Sequence, residues 1–139
     1  MKKAKTWMLL LLVVMITLSI CYVRWFPMRI NTDFATKVLL EYHYVGIDIA
    51  VEITEESDIQ TLRQILNGRS FWDNPACGFT TDISITMAND NKSIVFCPAC
   101  DGCPLLLISN TGKYIRTSDE DRTQLNEVLG KYGITFPCV

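Results

Sequence analysis

Between residues 37 and 54 apolar and polar positions alternate with a period of two, and the phase of the alternation flips once. Val38, Leu40, Tyr42 and Tyr44 alternate with Lys37, Glu41 and His43; beyond Val45-Gly46 the apolar set becomes Ile47, Ile49, Val51 and Ile53, against Asp48, Ala50, Glu52 and Thr54. A two-residue turn at Val45-Gly46 pairs Tyr44 with Ile47, Tyr42 with Ile49, Leu40 with Val51 and Val38 with Ile53. Every apolar residue then faces an apolar partner, as a hairpin with one buried face requires. Gly46 can supply the positive φ of a type II turn, although hairpins favour other turn types. A single bent strand with a bulge at Gly46 is the competing reading.

The period then lengthens. Ser57-Asp58-Ile59-Gln60 reads as a capping box, followed by Ile59, Leu62, Ile65 and Leu66 at helical spacing, with Asn67-Gly68 as a stop. Phe79, Thr81, Ile83, Ile85 and Met87 return to alternation, Asn89-Asp90-Asn91 turns the chain, and 93–97 is a further strand. Segments 105–109 and 113–117 form a hairpin around Asn110-Thr111-Gly112. Ser118 then caps a last helix with Asp119, Glu120 and Asp121 in its positive first turn; Leu125, Val128, Leu129 and Tyr132 are its buried stripe, and Gly133 ends it. The expected fold is α+β: an antiparallel sheet of about six strands, in the order ββαββββα, with two helices packed on one face.

The first residues obey neither period. Lys2, Lys3 and Lys5 precede an uncharged run from Thr6 to Val23 that Arg24 closes, bordered by Trp7, Tyr22 and Trp25. This is the pattern of a signal peptide or a transmembrane anchor. No A-x-A-like site closes it, and Leu18-Ser19-Ile20-Cys21 departs from a lipoprotein box because Ile20 stands where a small residue belongs. The expectation is an uncleaved anchor or signal at 6–23 after a cytoplasmic n-region at 1–5. A linker at 24–35 and an extracytoplasmic domain at 36–139 would follow, giving a single-pass protein of the cell membrane, bacterial in pattern.

From residue 33 onward eight basic residues stand against all fifteen acidic ones, a formal charge of −7. So acidic a domain is repelled by a phosphate backbone, which excludes a nucleic-acid partner. The membrane, through the N-terminal helix, and an unknown protein or small molecule are the partners that remain.

Candidate chemistry centres on Cys97-Pro98-Ala99-Cys100-Asp101-Gly102-Cys103, with Cys77, Cys138 and Cys21 elsewhere. Three uses compete. As metal ligands, Cys97, Cys100 and Cys103 lack the second separated C-x-x-C knuckle of a zinc site. They also lack the fourth cysteine of a ferredoxin cluster, since Leu107 stands in its place. As a redox motif, Cys97-Pro98-Ala99-Cys100 follows a strand and has no helix N-terminus to lower a thiol pKa. As staples, cysteines suit a small domain in an oxidising compartment. If the turn after Met87 centres on Asp90, Cys77 lies opposite Cys103. If it centres between Asp90 and Asn91, Ile85 meets Phe96 and Met87 meets Ile94, and a one-residue bulge near Pro98 restores Cys103. Cys77–Cys103 is therefore the favoured bridge. Cys138 would tie the chain end to Cys97 or Cys100, which stay unresolved, and the odd count leaves one thiol over.

His43, the single histidine, falls on the polar face opposite Asp48 and reads as a solvated cross-strand partner rather than a catalytic base. Phe71 and Trp72 are either core plugs or an exposed binding patch. Residues 77–139 resemble small, uncharacterised extracytoplasmic domains of Gram-positive bacteria that follow a single N-terminal anchor. The residues behind the likeness are Cys77-Gly78, Pro98-Ala99-Cys100-Asp101-Gly102-Cys103, Ser118-Asp119-Glu120-Asp121 and Lys131-Tyr132-Gly133. The likeness implies location and fold and transfers no activity. The expected function is a membrane-anchored, disulfide-stabilised binding or envelope-accessory domain without catalysis, cofactor or metal. The alternative is a thiol-disulfide redox or metal-binding protein using Cys97, Cys100 and Cys103.

Overall fold

The computed structural model describes the backbone of residues 2–25, 27–44 and 46–134, and the side chains of 6–22, 27–43 and 46–134. Helix α1 (Lys2–Trp25) is followed by β1 (Arg29–Ile30), β2 (Lys37–Tyr44) and β3 (Ile47–Ile53), then α2 (Glu56–Leu66), β4 (Gly68–Arg69) and β5 (Phe71–Trp72). Strands β6 (Ile83–Ala88), β7 (Ser93–Pro98), β8 (Leu105–Ile108) and β9 (Lys113–Arg116) and helix α3 (Asp119–Lys131) complete the chain. Seven strands form one antiparallel sheet in the order β3-β2-β6-β7-β8-β9-β5, and β1 pairs with β4 beside it.

The six long strands are those expected from the alternation; the seventh is the two-residue β5. The β2–β3 hairpin has the register read from its parity, from Val38 opposite Ile53 to Tyr44 opposite Ile47, and Gly46 has a φ of +79°. That parity sends Val38, Leu40 and Tyr42 to one face, where β6 adds Ile83, Ile85 and Met87 and the later strands add Phe96, Leu106, Ile108 and Ile115. Ile59, Leu62, Ile65 and Leu66 of α2 and Leu125, Val128 and Leu129 of α3 cover this face, so both helices lie on one side as expected. On the other face polar groups pair across strands, as where the Ser84 hydroxyl donates to Glu41 Oε2 at 2.9 Å.

One expectation is overturned. Among the described residues no helix is long and apolar enough to cross a membrane, against a transmembrane anchor or signal anchor at 6–23 and the single-pass topology and localisation built on it. The uncharged run of 18 residues stands at the short end of the about 17–25 that a span takes. Charged residues meet it at both ends, at Lys5 and Arg24.

Helix α2 also starts differently from its sequence signal. Its N-cap is Glu55, which makes no side-chain cap, and Ser57 lies inside the first turn. Asp58 is drawn inward instead. Its carboxylate, 5% exposed, accepts from Lys131 Nζ at 2.5 Å and from the Tyr132 hydroxyl at 2.8 Å, joining α2 to the end of α3. The Lys131 hydrogen bond holds the Asp58 pKa below its usual 3.8 despite the opposing effect of burial. Burial, then Asp58, pushes Tyr132 up to about 12. The chain before β2 is tied to the same helix. Thr32 donates to Asn67 Oδ1 from its N–H at 2.6 Å and its hydroxyl at 2.8 Å, and Arg63 Nε donates to the Ala35 carbonyl at 3.0 Å.

Asp58 makes a testable signature. A depressed folded pKa contributes stability that is complete above the unfolded value of 3.8 and is lost as pH falls through the folded value. Tyr132 has the opposite sign: its contribution is complete below 10.0 and is lost as pH rises toward 12. Urea midpoints across this range should fall at both ends. Asp58→Ala should cost about 1–3 kcal/mol at neutral pH. Lys131→Met leaves the carboxylate buried with Tyr132 alone, and the acid loss should shrink or reverse.

Candidate functional site

The chemistry-bearing residues gather at one end of the sheet, where the 97–103 segment, Cys77 and the start of α3 meet. Ile85 pairs with Phe96 and Met87 with Ile94, the register with the better core match. The next contact outward is Phe79 with Ala99, so the six steps from Phe79 to Ile85 oppose three from Phe96 to Ala99. The surplus chain sits at 80–82 and not at Pro98. There the Thr80 hydroxyl donates to Asp82 Oδ2 at 2.7 Å, and the Asp82 carbonyl accepts from His43 N–H at 2.7 Å. With the register shifted, Cys77 and Cys103 are joined by a disulfide, their Cα atoms 6.0 Å apart.

Asp101 organises the loop around this bond. Its Oδ2 accepts from Gly78 N–H at 2.9 Å and its Oδ1 from Cys103 N–H at 3.3 Å. Cys100 N–H donates to the Gly78 carbonyl at 2.8 Å, and Gly102 takes a φ of +74°, which turns the chain back toward Cys103. The one potential metal-ligand group among the described residues is Cys77, Asp101 and Cys103, with ligand atoms within 4.8 Å of one another. The disulfide uses both sulfurs and leaves a single carboxylate. It is not the trio of Cys97, Cys100 and Cys103 named in the alternative metal reading.

Cys97 is 1% exposed on β7, opposite Leu107, and its thiol is not in a disulfide. Burial raises its pKa above 9.0, so it is held away from the thiolate form that attacks disulfides or binds metals. Cys100 is half-buried, Cys21 is exposed on α1, and Cys138 lies outside the described residues. Phe71 and Trp72 form β5 at the far edge of the sheet. Phe71 is partly buried with its ring 6.4 Å from Tyr114, whose other neighbour is Phe79 at 5.2 Å. Trp72, 38% exposed, lies over Gly112 so closely that a Cβ there would come within 2.7 Å of its ring. His43 pairs with Asp48 on exposed strand ends, as its position implied.

Between the disulfide and α3 lies a hollow of about 30 Å³. It is lined by the apolar Pro98, Ala99, Leu105, Leu106 and Leu125 and by Thr117, Arg122 and Asn126, with Gly102 and Cys103. Ser118 and Asp121 form a reciprocal capping box that fixes the start of α3. This presents Arg122, whose Nη1 donates to the Gly102 carbonyl at 3.0 Å and whose Nη2 meets Asp119 Oδ1 at 2.5 Å. Its Nε is buried and has no hydrogen-bond partner among the described residues. Arg122 was not singled out from sequence; its place one turn after Ser118, facing a cysteine loop, is a signal visible only once that loop is folded. Neither a protein-family model, nor a curated protein, nor a solved structure matches the chain.

The bridge closes a segment with a sequence separation of 26, for which the chain-entropy relation gives about 3.5 kcal/mol. Cys77→Ala should therefore lower unfolding free energy by about 2–4 kcal/mol in urea titrations run without reductant. In the same preparation, iodoacetamide should alkylate Cys97 only when denaturant is present, as peptide mass mapping would show.

Proposed function

We propose that this disulfide-stabilised domain is a non-catalytic binding module, and that the hollow between the Cys77–Cys103 bridge and α3 receives an aliphatic anchor of its ligand. The observation that carries the reading is a hollow lined by Pro98, Ala99, Leu105, Leu106 and Leu125 beside Arg122, whose buried Nε has no hydrogen-bond partner among the described residues. A buried N–H without a partner costs about 1–3 kcal/mol, so an acceptor brought next to it is rewarded. The ligand chemistry that suits both features is a branched aliphatic group one or two bonds from a carbonyl or carboxylate oxygen.

Size limits what the hollow can take. A hollow of about 30 Å³ holds roughly two waters or one isopropyl end. Pockets that enclose a whole ligand run to about 300–1,000 Å³, so only one anchoring group of a larger ligand fits. The groups that would run nucleophilic chemistry lie elsewhere or are muted: His43 is on the exposed β2–β3 hairpin, and the Cys97 thiol is buried with a raised pKa.

The test is an NMR titration of the oxidised domain with N-acetyl-leucine and with N-acetyl-leucinol. N-acetyl-leucine should shift the amides of Thr117, Leu125 and Asn126 and bind more tightly than the alcohol. Asn126→Phe, which plugs the hollow from its rim, should abolish the shifts while leaving the melting temperature intact. Shifts that survive Asn126→Phe, or none at these amides, would refute the assignment.

A further inference from the structure

Strand β3 is the outermost strand on its side of the sheet, and the backbone hydrogen bonds tell which of its groups face outward. His43 N–H donates to the Asp82 carbonyl, so it points toward β6 and away from β3. In an antiparallel ladder this direction alternates residue by residue, and directly opposed residues share it. Opposite His43 is Asp48; opposite Glu41 is Ala50; opposite Leu39 is Glu52. The N–H and C=O groups of Asp48, Ala50 and Glu52 therefore point away from β2. Among the described residues no strand pairs with them, and all three residues are exposed. Three donors and three acceptors lie in a row along one edge.

The side chains around this row specify what fits it. Ile47 is 49% exposed and Ile49 and Val51 are part-exposed on the helix side, while Asp48 and Glu52 carry charge on the other. A second copy is disfavoured. If two β3 strands met antiparallel about Ala50, each Asp48 would face the other copy's Glu52, and like charges directly opposite destabilise a sheet. An incoming strand that alternates aliphatic residues with Lys or Arg would cover the isoleucines and neutralise the carboxylates at once.

We infer that the outer edge of β3 is a strand-addition site for an extended partner segment in which aliphatic and basic residues alternate. Main-chain hydrogen bonds to Asp48, Ala50 and Glu52 hold the segment, and the alternate side chains select it. This site lies on a different element from the hollow and is independent of it.

The probes are two capped heptapeptides, Lys-Val-Lys-Val-Lys-Val-Lys and its Glu-Val counterpart, added to the full oxidised chain and followed by amide hydrogen exchange. The basic peptide should slow exchange at Asp48, Ala50 and Glu52, and the acidic one should not. Ala50→Pro removes one outward N–H, a change that edge strands tolerate, and should weaken binding about tenfold. The double variant Asp48→Lys with Glu52→Lys should reverse the preference toward the acidic peptide. Four results would overturn the assignment: protection of these amides before any peptide is added, concentration-dependent protection by a second copy, equal binding of both peptides, or indifference to Ala50→Pro.

Discussion

The sheet carries its apolar residues on one face, and everything else in the domain follows from the need to cover that face with two helices from distant parts of the chain. Strands β2 and β6 place Val38, Leu40, Ile85 and Met87 at its centre, all buried. Helix α2 arrives directly from β3, but α3 comes only after six further strands, two of them two residues long. What makes the two meet as a single lid is the Asp58 carboxylate, buried in α2 and held by Lys131 and Tyr132 at the end of α3. A buried carboxylate is tolerated only when its acceptors are filled. The helix pair therefore has one arrangement in which this charge is satisfied, which gives the interface a specificity that the leucines and isoleucines around it do not supply.

Much of this was legible because alternation is a strong signal where one face is buried. The parity flip at Val45-Gly46 predicts every pair of the β2–β3 hairpin, since a one-residue slip would put Val38 and Ile53 in water. The match of Ile85 with Phe96 likewise marks the register that β6 and β7 adopt, but Cys77–Cys103 needed a departure from it that sequence reading put near Pro98 and the structure puts at 80–82. What escaped was local structure set by distant partners. Ser57-Asp58 has the form of a cap, yet Asp58 is taken by residues more than seventy positions away and the helix starts at Glu56. Strand β5 is too short to show a period; Phe71 and Trp72 are strand residues only because Tyr114 and Lys113 lie beside them. The N-terminal run misled for another reason: its composition matches an anchor, yet among the described residues no helix is long and apolar enough to cross a membrane.

The candidate site shows the same division. Cysteine spacing suggested three chemistries of Cys97, Cys100 and Cys103, and the fold separates them. Cys77 and Cys103 are bridged, Asp101 locks the turn between, and Cys97 is left inside the sheet where its thiol resists ionisation. Spacing along the chain cannot distinguish ligand, redox and staple, because the distinction rests on which sulfur is buried and which meets a partner from another strand. Arg122 was invisible for the same reason: its unsatisfied Nε is a property of the packed loop and not of its neighbours in sequence.

An open sheet has two edges, and this one manages them by different means. At β5 the edge is two residues long, and Trp72 folds across Gly112, so little unpaired backbone remains to recruit another chain. At β3 the edge runs for seven residues with Ile47 half in water, which is the condition that invites uncontrolled pairing. The protection there is charge: Asp48 and Glu52 are spaced so that a copy of the same strand meets its own repulsion. Charge defends differently from shortness. A short edge refuses every strand, whereas an acidic edge refuses acidic ones and leaves its hydrogen-bonding row intact for a segment of opposite sign. With a formal charge of −7 over residues 33–139, self-avoidance at β3 and selectivity for a basic strand are the same physical property.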